Sequence, residues 1–160
     1  MAFAQSDFNR SVDEKTGFTV FQGQCQFSDL LQEKSFDWMQ RNSKDYQPDT
    51  NAFKYLKTHL GEYELTCFMG TWCDDSHLLV PKLYKVLETL SLKDFKFFLF
   101  GVNRNKETKN VESQLFKVDR IPVFILFHHH LEIGRITESV HKSIEQDLVD
   151  LIYKHQLSLK

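Results

Sequence analysis

The spacing of apolar residues changes at Asp74, and that change limits what the chain can fold into more than any other feature. Leu65 to Met69 is a short apolar run that reads as a strand. From Asp74 onward, Leu79, Leu83, Val86 and Leu90 recur at i, i+4, i+7 and i+11, one face of a helix of about four turns. Pro81 lies inside this helix and is expected to bend it. Phe95 to Val102 then carries apolar residues on both alternating faces, as in a central strand covered on both sides. Strand, helix and strand in that order point to an α/β sandwich.

The rest of the chain extends this unit at both ends. A short strand is read at Phe18 to Phe21, and a helix capped by Ser28 that carries Leu30 and Leu31 through about Met39. Residues 42–49 break that helix, with Pro48-Asp49 as a turn signal. Phe53, Leu56 and Leu60 mark a second amphipathic helix ended by Gly61. After a charged, solvated loop from Arg104, a short helix is read at Val111 to Phe116. Ile121-Pro122 opens an apolar strand from Val123 to Phe127, His128-His129-His130 makes a turn, and Leu131 to Thr137 returns as a strand. Ser139 is read as the cap of a last helix with Val140, Ile144, Leu148, Leu151 and Ile152 inward. The whole is an α/β sandwich with a mixed sheet, without repeat, low-complexity tract or linker.

Composition narrows the function classes. A chain of 160 residues with 41% hydrophobic residues and 15 Phe is long and apolar enough for a packed core. A net charge of −2 gives no basic footprint for nucleic acid and no polybasic membrane patch. No run approaches the roughly 20 apolar residues of a membrane span. Three cysteines, Cys25, Cys67 and Cys73, are too few and too scattered for a disulfide framework or a zinc site. Three consecutive histidines cannot converge on one metal from regular structure, so His128 to His130 reads as a solvated hairpin turn. Neither a metal nor a cofactor is expected. Ala2-Phe3-Ala4 before Gln5 reads like the end of a signal peptide, although no apolar region precedes it. On that reading the protein is periplasmic or secreted; otherwise it is cytoplasmic.

Trp72-Cys73-Asp74-Asp75-Ser76 carries the chemistry. Cys73 falls where the strand pattern ends and the helix pattern begins. The position three residues on, which would hold a second cysteine in a Cys-x-x-Cys motif, is Ser76. A thiolate at a helix start is a good nucleophile, favoured by free backbone N–H groups and the positive end of the helix dipole. Asp74 and Asp75 oppose it by like-charge repulsion. Without a neighbouring thiol the usual short disulfide cannot close, so chemistry at Cys73 stops at, or passes through, a mixed disulfide. Ser76 either donates a hydrogen bond to the thiolate or is simply a small tolerated residue. Cys67 is read as core filler, with the alternative of an unusual resolving thiol, and Cys25 as structural or idle.

From about Leu65 to its end the chain resembles the thioredoxin family. That family places Trp-Cys-x-x-Cys after a strand, a proline eight residues beyond the first cysteine, and an Ile-Pro before a strand. Trp72-Cys73, Pro81 and Ile121-Pro122-Val123-Phe124 fill these elements in order, Phe116 and Val118 match apolar positions of the intervening loop, and Gly134 matches a family glycine. The variant is most similar to Cys-x-Asp-Ser members from Bacteroidetes-type bacteria with an extra N-terminal helical segment. The resemblance implies a thioredoxin-like three-layer α/β/α sandwich with a central mixed sheet and an N-terminal helical extension. It implies one domain over 1–160, with 1–60 as extension and 61–160 as the core unit. Two departures, Ser76 and Cys67, point away from ordinary dithiol reductase activity and leave the fold expectation intact.

The resemblance further implies a cis bond before Pro122 and a substrate surface of Trp72, Asp74, Asp75, Ile121 and Pro122 beside the reactive pair Cys73 and Ser76. The leading expectation is a monothiol thiol–disulfide oxidoreductase or isomerase, monomeric, acting on protein or low-molecular-weight disulfides and needing an external resolving thiol. On oxidation a disulfide-linked dimer through Cys73 is conceivable. The alternative is a non-catalytic thioredoxin-like binding or chaperone module. A peroxidase is set aside for want of the Thr and Arg such sites use.

Overall fold

The structure, a computed structural model, describes residues 5–160. The signal-peptide reading of Ala2 to Ala4 lies outside the described residues. Six strands form one sheet in the order β1-β2-β4-β3-β5-β6: β1 (Asp7–Val12), β2 (Thr19–Cys25), β3 (Glu64–Met69), β4 (Lys96–Gly101), β5 (Val123–His128) and β6 (Leu131–Thr137). Only β3 and β4 pair in parallel, and the helix between them, α4 (Asp74–Leu90), is their crossover. The other pairings are antiparallel. The remaining helices are α1 (Phe27–Gln32), α2 (Asp37–Ser43), α3 (Thr50–His59), α5 (Glu112–Leu115) and α6 (Ile144–Ser158).

Strand alternation divides the core in two. Leu65, Cys67 and Met69 of β3, Leu99 of β4, and Phe124 and Leu126 of β5 face the larger core beneath α1, α2, α3, α4 and α6. Phe68, Phe100, Val123 and Ile125 face the opposite way, into a smaller cluster closed by Ile121, Val102, Phe116 and Val118. Both sides of β4 are therefore packed, as its apolar sequence requires. The outer layer here is thin, the single turn α5 and its flanking loops, because residues 103–120 are too polar to sustain a long amphipathic helix.

The N-terminal extension differs from its sequence reading in two ways. It adds one strand, β1, and lengthens the strand read at Phe18 to Phe21: β2 runs to Cys25 and joins β1 to the edge of the sheet. The helix read from Ser28 to Met39 is two helices, with residues 33–36 between them. Leu30, Phe36, Trp38 and Met39 are all buried. At about 100° per residue they would spread round the whole circumference of one continuous helix. The break lets each reach the core. The cap of α1 is Gln26, in a reciprocal arrangement with Asp29, rather than Ser28. The cap of α6 is Ser143, whose hydroxyl accepts from the Gln146 N–H at 3.2 Å, rather than Ser139. Ser139 instead lies in the turn after β6.

A buried carboxylate ties the extension to the last helix. Glu145 of α6 is 1% exposed and accepts from the Tyr46 hydroxyl at 2.8 Å and the Asp49 N–H at 2.9 Å. Asp49 in turn caps α3 through the Ala52 N–H. The β5–β6 hairpin turns on His129 and His130, both at positive φ, while His128 closes β5 opposite Leu131. Two central residues at positive φ match the right-handed twist of the flanking strands.

Candidate functional site

Cys73 is the N-cap of α4, half-buried, with φ −104° and ψ 124°. The geometry follows from the sequence. β3 ends at Met69, Gly70 to Trp72 turn the chain, and Asp74 begins the helix. The Cys73 side chain makes no capping hydrogen bond, and it stands at the end of α4 where a helix leaves its first N–H groups without an intrahelical partner. His77 N–H donates to the Cys73 carbonyl at 3.0 Å, the first bond of the helix.

The turn before Cys73 is fastened at each residue. Cys73 N–H donates to the Gly70 carbonyl at 3.0 Å. Gly70 N–H donates to Ser76 Oγ at 3.2 Å. Thr71 Oγ1 donates to the Thr19 carbonyl at 2.8 Å and accepts from the Phe21 N–H at 3.2 Å, which binds the turn to β2. Trp72 Nε1 donates to the Val102 carbonyl at 2.9 Å. Ser76 is wholly buried, and its hydroxyl oxygen, accepting from the Gly70 N–H, holds the start of the turn.

The predicted site residues are brought together unevenly. Trp72, Cys73, Asp74 and Asp75 sit at the surface end of β3 and α4, with both aspartates exposed. The Ile121-Pro122 bond is cis. Both side chains are buried, and Ile121 packs in the same small cluster as Trp72 and Cys73. A Cβ placed on Gly70 would lie 2.8 Å from Ile121 Cδ1 and 2.8 Å from Trp72 Cε2, so these three residues are in close contact.

Four contacts at the site lie outside the sequence reading. Arg104 is not merely part of a solvated charged loop. Its guanidinium lies 4.4 Å from the centre of the Trp72 ring, a cation–π geometry, and Nε donates to Asp13 at 2.7 Å. That hydrogen bond from Arg104 lowers the pKa of the Asp13 carboxyl to about 2, against an opposing effect of burial and with help from the backbone N–H groups of Thr16 and Lys15. The loop between β1 and β2 thus braces Trp72. His77, one turn after Cys73, stacks on Trp38 with ring centres 4.4 Å apart. The carbonyl of His77 accepts from Asn42 Nδ2 at 2.8 Å. His77 was not singled out in the sequence, where its position one turn after Cys73 was the available signal; its partners in α2 lie more than thirty residues away and left no local signal.

The other two thiols are of a different kind. Cys25 and Cys67 are 3% and 0% exposed. Burial pushes both thiols well above the usual range, reinforced for Cys25 by the charge of Asp29 and for Cys67 by Cys25 itself. Among the described residues, no group of three or more His, Cys, Asp or Glu side chains is gathered to hold a metal. No described helix is long and apolar enough to cross a membrane.

The parallel β3–α4–β4 unit followed by the β5–β6 hairpin and α6 makes the fold thioredoxin-like. No family model and no curated protein matches the chain. Solved structures do. Thioredoxin f2 of Chlamydomonas reinhardtii is 24% identical, with 69% of this chain and 94% of that chain covered and a TM-score of 0.43. Thioredoxin of Fasciola hepatica is 17% identical, with 64% and 88% covered and a TM-score of 0.44. A Pseudomonas aeruginosa protein of unknown function is 15% identical, with 75% and 72% covered and a TM-score of 0.48. Likenesses this distant assign neither substrate nor mechanism.

Proposed function

We propose that the chain is a monothiol thiol–disulfide oxidoreductase or isomerase acting through Cys73, with residues 1–60 serving as an extension of one domain. The observation that carries this reading is the contrast among the thiols. Cys73 alone is partly open and stands at a helix N-terminus, while Cys25 and Cys67 are buried with thiols pushed up. In the proposed reaction the Cys73 thiolate attacks one sulfur of a disulfide. A bond forms between Cys73 Sγ and that sulfur, the substrate S–S bond breaks, and the departing thiolate takes a proton from water. An external thiol, attacking the substrate sulfur of the adduct, releases Cys73 as thiolate and completes the exchange. With Ser76 buried in the fourth position of the motif, no second motif thiol competes for the adduct. Trp72, Asp74 and Asp75 offer the surface around the thiol, and the cis Ile121-Pro122 segment is the proposed place where an extended substrate backbone pairs beside it.

The test is incubation with bis(2-hydroxyethyl) disulfide and intact-mass measurement. One adduct per chain is expected, absent in Cys73→Ser, and discharged by added small thiol. A native protein that forms no adduct, while the same protein unfolded does, would overturn the reading.

A further inference from the structure

The imidazole of His77 is held from three sides. Its face stacks on Trp38 of α2, 18° from parallel. Phe18, just ahead of β2, meets it edge-on at 6.4 Å. Its Nε2 lies 2.7 Å from the Thr71 carbonyl oxygen. A carbonyl only accepts, so Nε2 carries the hydrogen and Nδ1 is left facing Asp74 Oδ1 at 3.9 Å. Thr71 is two residues before Cys73, and its hydroxyl is already engaged with Thr19 and Phe21. The turn that carries the thiol is therefore pinned to β2 through the Thr71 hydroxyl and to α4 through the Thr71 carbonyl and His77.

We propose that His77 is a positioning residue for Cys73: by holding the Thr71 carbonyl it fixes the turn that presents the thiol, and Trp38 of the N-terminal extension holds its ring in place. This inference rests on the thiol–disulfide reading of Cys73. It also gives the extension a part in the chemistry, since α2 reaches the thiol through one aromatic stack and one backbone carbonyl. Attack on a disulfide needs the nucleophile placed within a narrow range of approach, and a displacement of about 1 Å can cost on the order of 10²-fold in rate. A partial loosening of the turn should cost roughly tenfold.

The experiment compares second-order rates of Cys73 with bis(2-hydroxyethyl) disulfide, alongside melting temperatures. His77→Phe keeps the stack on Trp38 and loses the donor. His77→Gln places an amide N–H near the position of Nε2 and restores it. The expected result is a rate lowered about tenfold in His77→Phe and recovered to within about threefold in His77→Gln. Trp38→Leu should slow the thiol in the same direction. If His77→Phe does not fold, His77→Asn takes its place, because its shorter amide cannot reach Thr71. Equal rates for wild type and the donor-less variant, or a Gln variant as slow as it, would overturn the inference while leaving the function intact. An inert wild-type thiol would overturn both.

Discussion

The side-chain amide of Asn42 donates to the carbonyl oxygen of His77 at 2.8 Å, in the place where α4 has no donor of its own. The residue four positions on from His77 is Pro81, which has no N–H, so the helix cannot satisfy that carbonyl internally. An unpaired carbonyl costs about 1–3 kcal/mol when fully buried, and this part-buried one lies towards the low end. Asn42→Ala should therefore lower stability by about 1 kcal/mol, read as a fall in melting temperature of about 2–4 °C. The mechanism makes a sharper claim through a double-mutant cycle. In a Pro81→Ala background residue 81 regains an N–H, and the cost of Asn42→Ala should shrink. Additive effects of the two substitutions would refute the account.

Cys25 and Cys67 flank Leu99 in one row across the sheet, Cys25 on β2 and Cys67 on β3. Two strand spacings of about 4.8 Å put their Cα atoms some 10 Å apart, beyond the reach of a disulfide. Neither can bridge the other, and neither reaches solvent. Alkylation of the folded protein should label one thiol per chain, at Cys73, with three labelled after denaturation. A second label on the native chain, mapped by peptide mass, would show that the sheet opens.

Much of this was legible from sequence, for reasons that differ by element. The β3–α4–β4 unit announced itself because strand and helix periods are each carried by residues close in the chain: Leu79, Leu83, Val86 and Leu90 are all buried. Cys73 at the head of α4 follows from the same change of period. β1 did not show, because its residues are almost all exposed and polar and β2 is the strand it pairs with. The caps of α1 and α6 were misplaced by two and four residues, since several Ser and Gln side chains stand near each start and tertiary packing chooses among them. The clamp of Trp38, Asn42 and Thr71 on His77 joins segments that only the folded chain brings together.

His128 gives the fold a pH dependence at the end of the sheet away from Cys73. Its ring lies among Tyr63, His129 and His155, with centres 4.1 to 5.0 Å away, and Glu62 nearby. Burial lowers its pKa below the ordinary 6.5, and the neighbouring His129 and His155 add to this against a raising effect of Glu62. A depressed histidine favours the neutral form in the fold. The associated stability is present above about 6.5 and is lost as pH falls through the folded value. Melting temperature should drop between pH 7.5 and 5, and the drop should be smaller in His128→Phe, which keeps the aromatic packing. An equal drop in both proteins would place the effect elsewhere.

Gly70 tests whether the turn before Cys73 tolerates any displacement. A Cβ there would meet Ile121 Cδ1 and Trp72 Cε2, each at 2.8 Å. Ile121 is held in the small core, and the Trp72 ring is fixed by its bond to Val102 and by Arg104 on its face. Neither can move without loosening something else. Overpacking of this kind costs about 1–3 kcal/mol, so Gly70→Ala should melt lower than wild type. Because the Trp72 ring is one of the two groups that the new Cβ meets, its fluorescence should shift in the folded variant. The rate of Cys73 with bis(2-hydroxyethyl) disulfide should fall with it, as the turn from Gly70 to Cys73 carries both residues. A variant with unchanged melting temperature, fluorescence and rate would mean that the turn is softer than its hydrogen bonds imply.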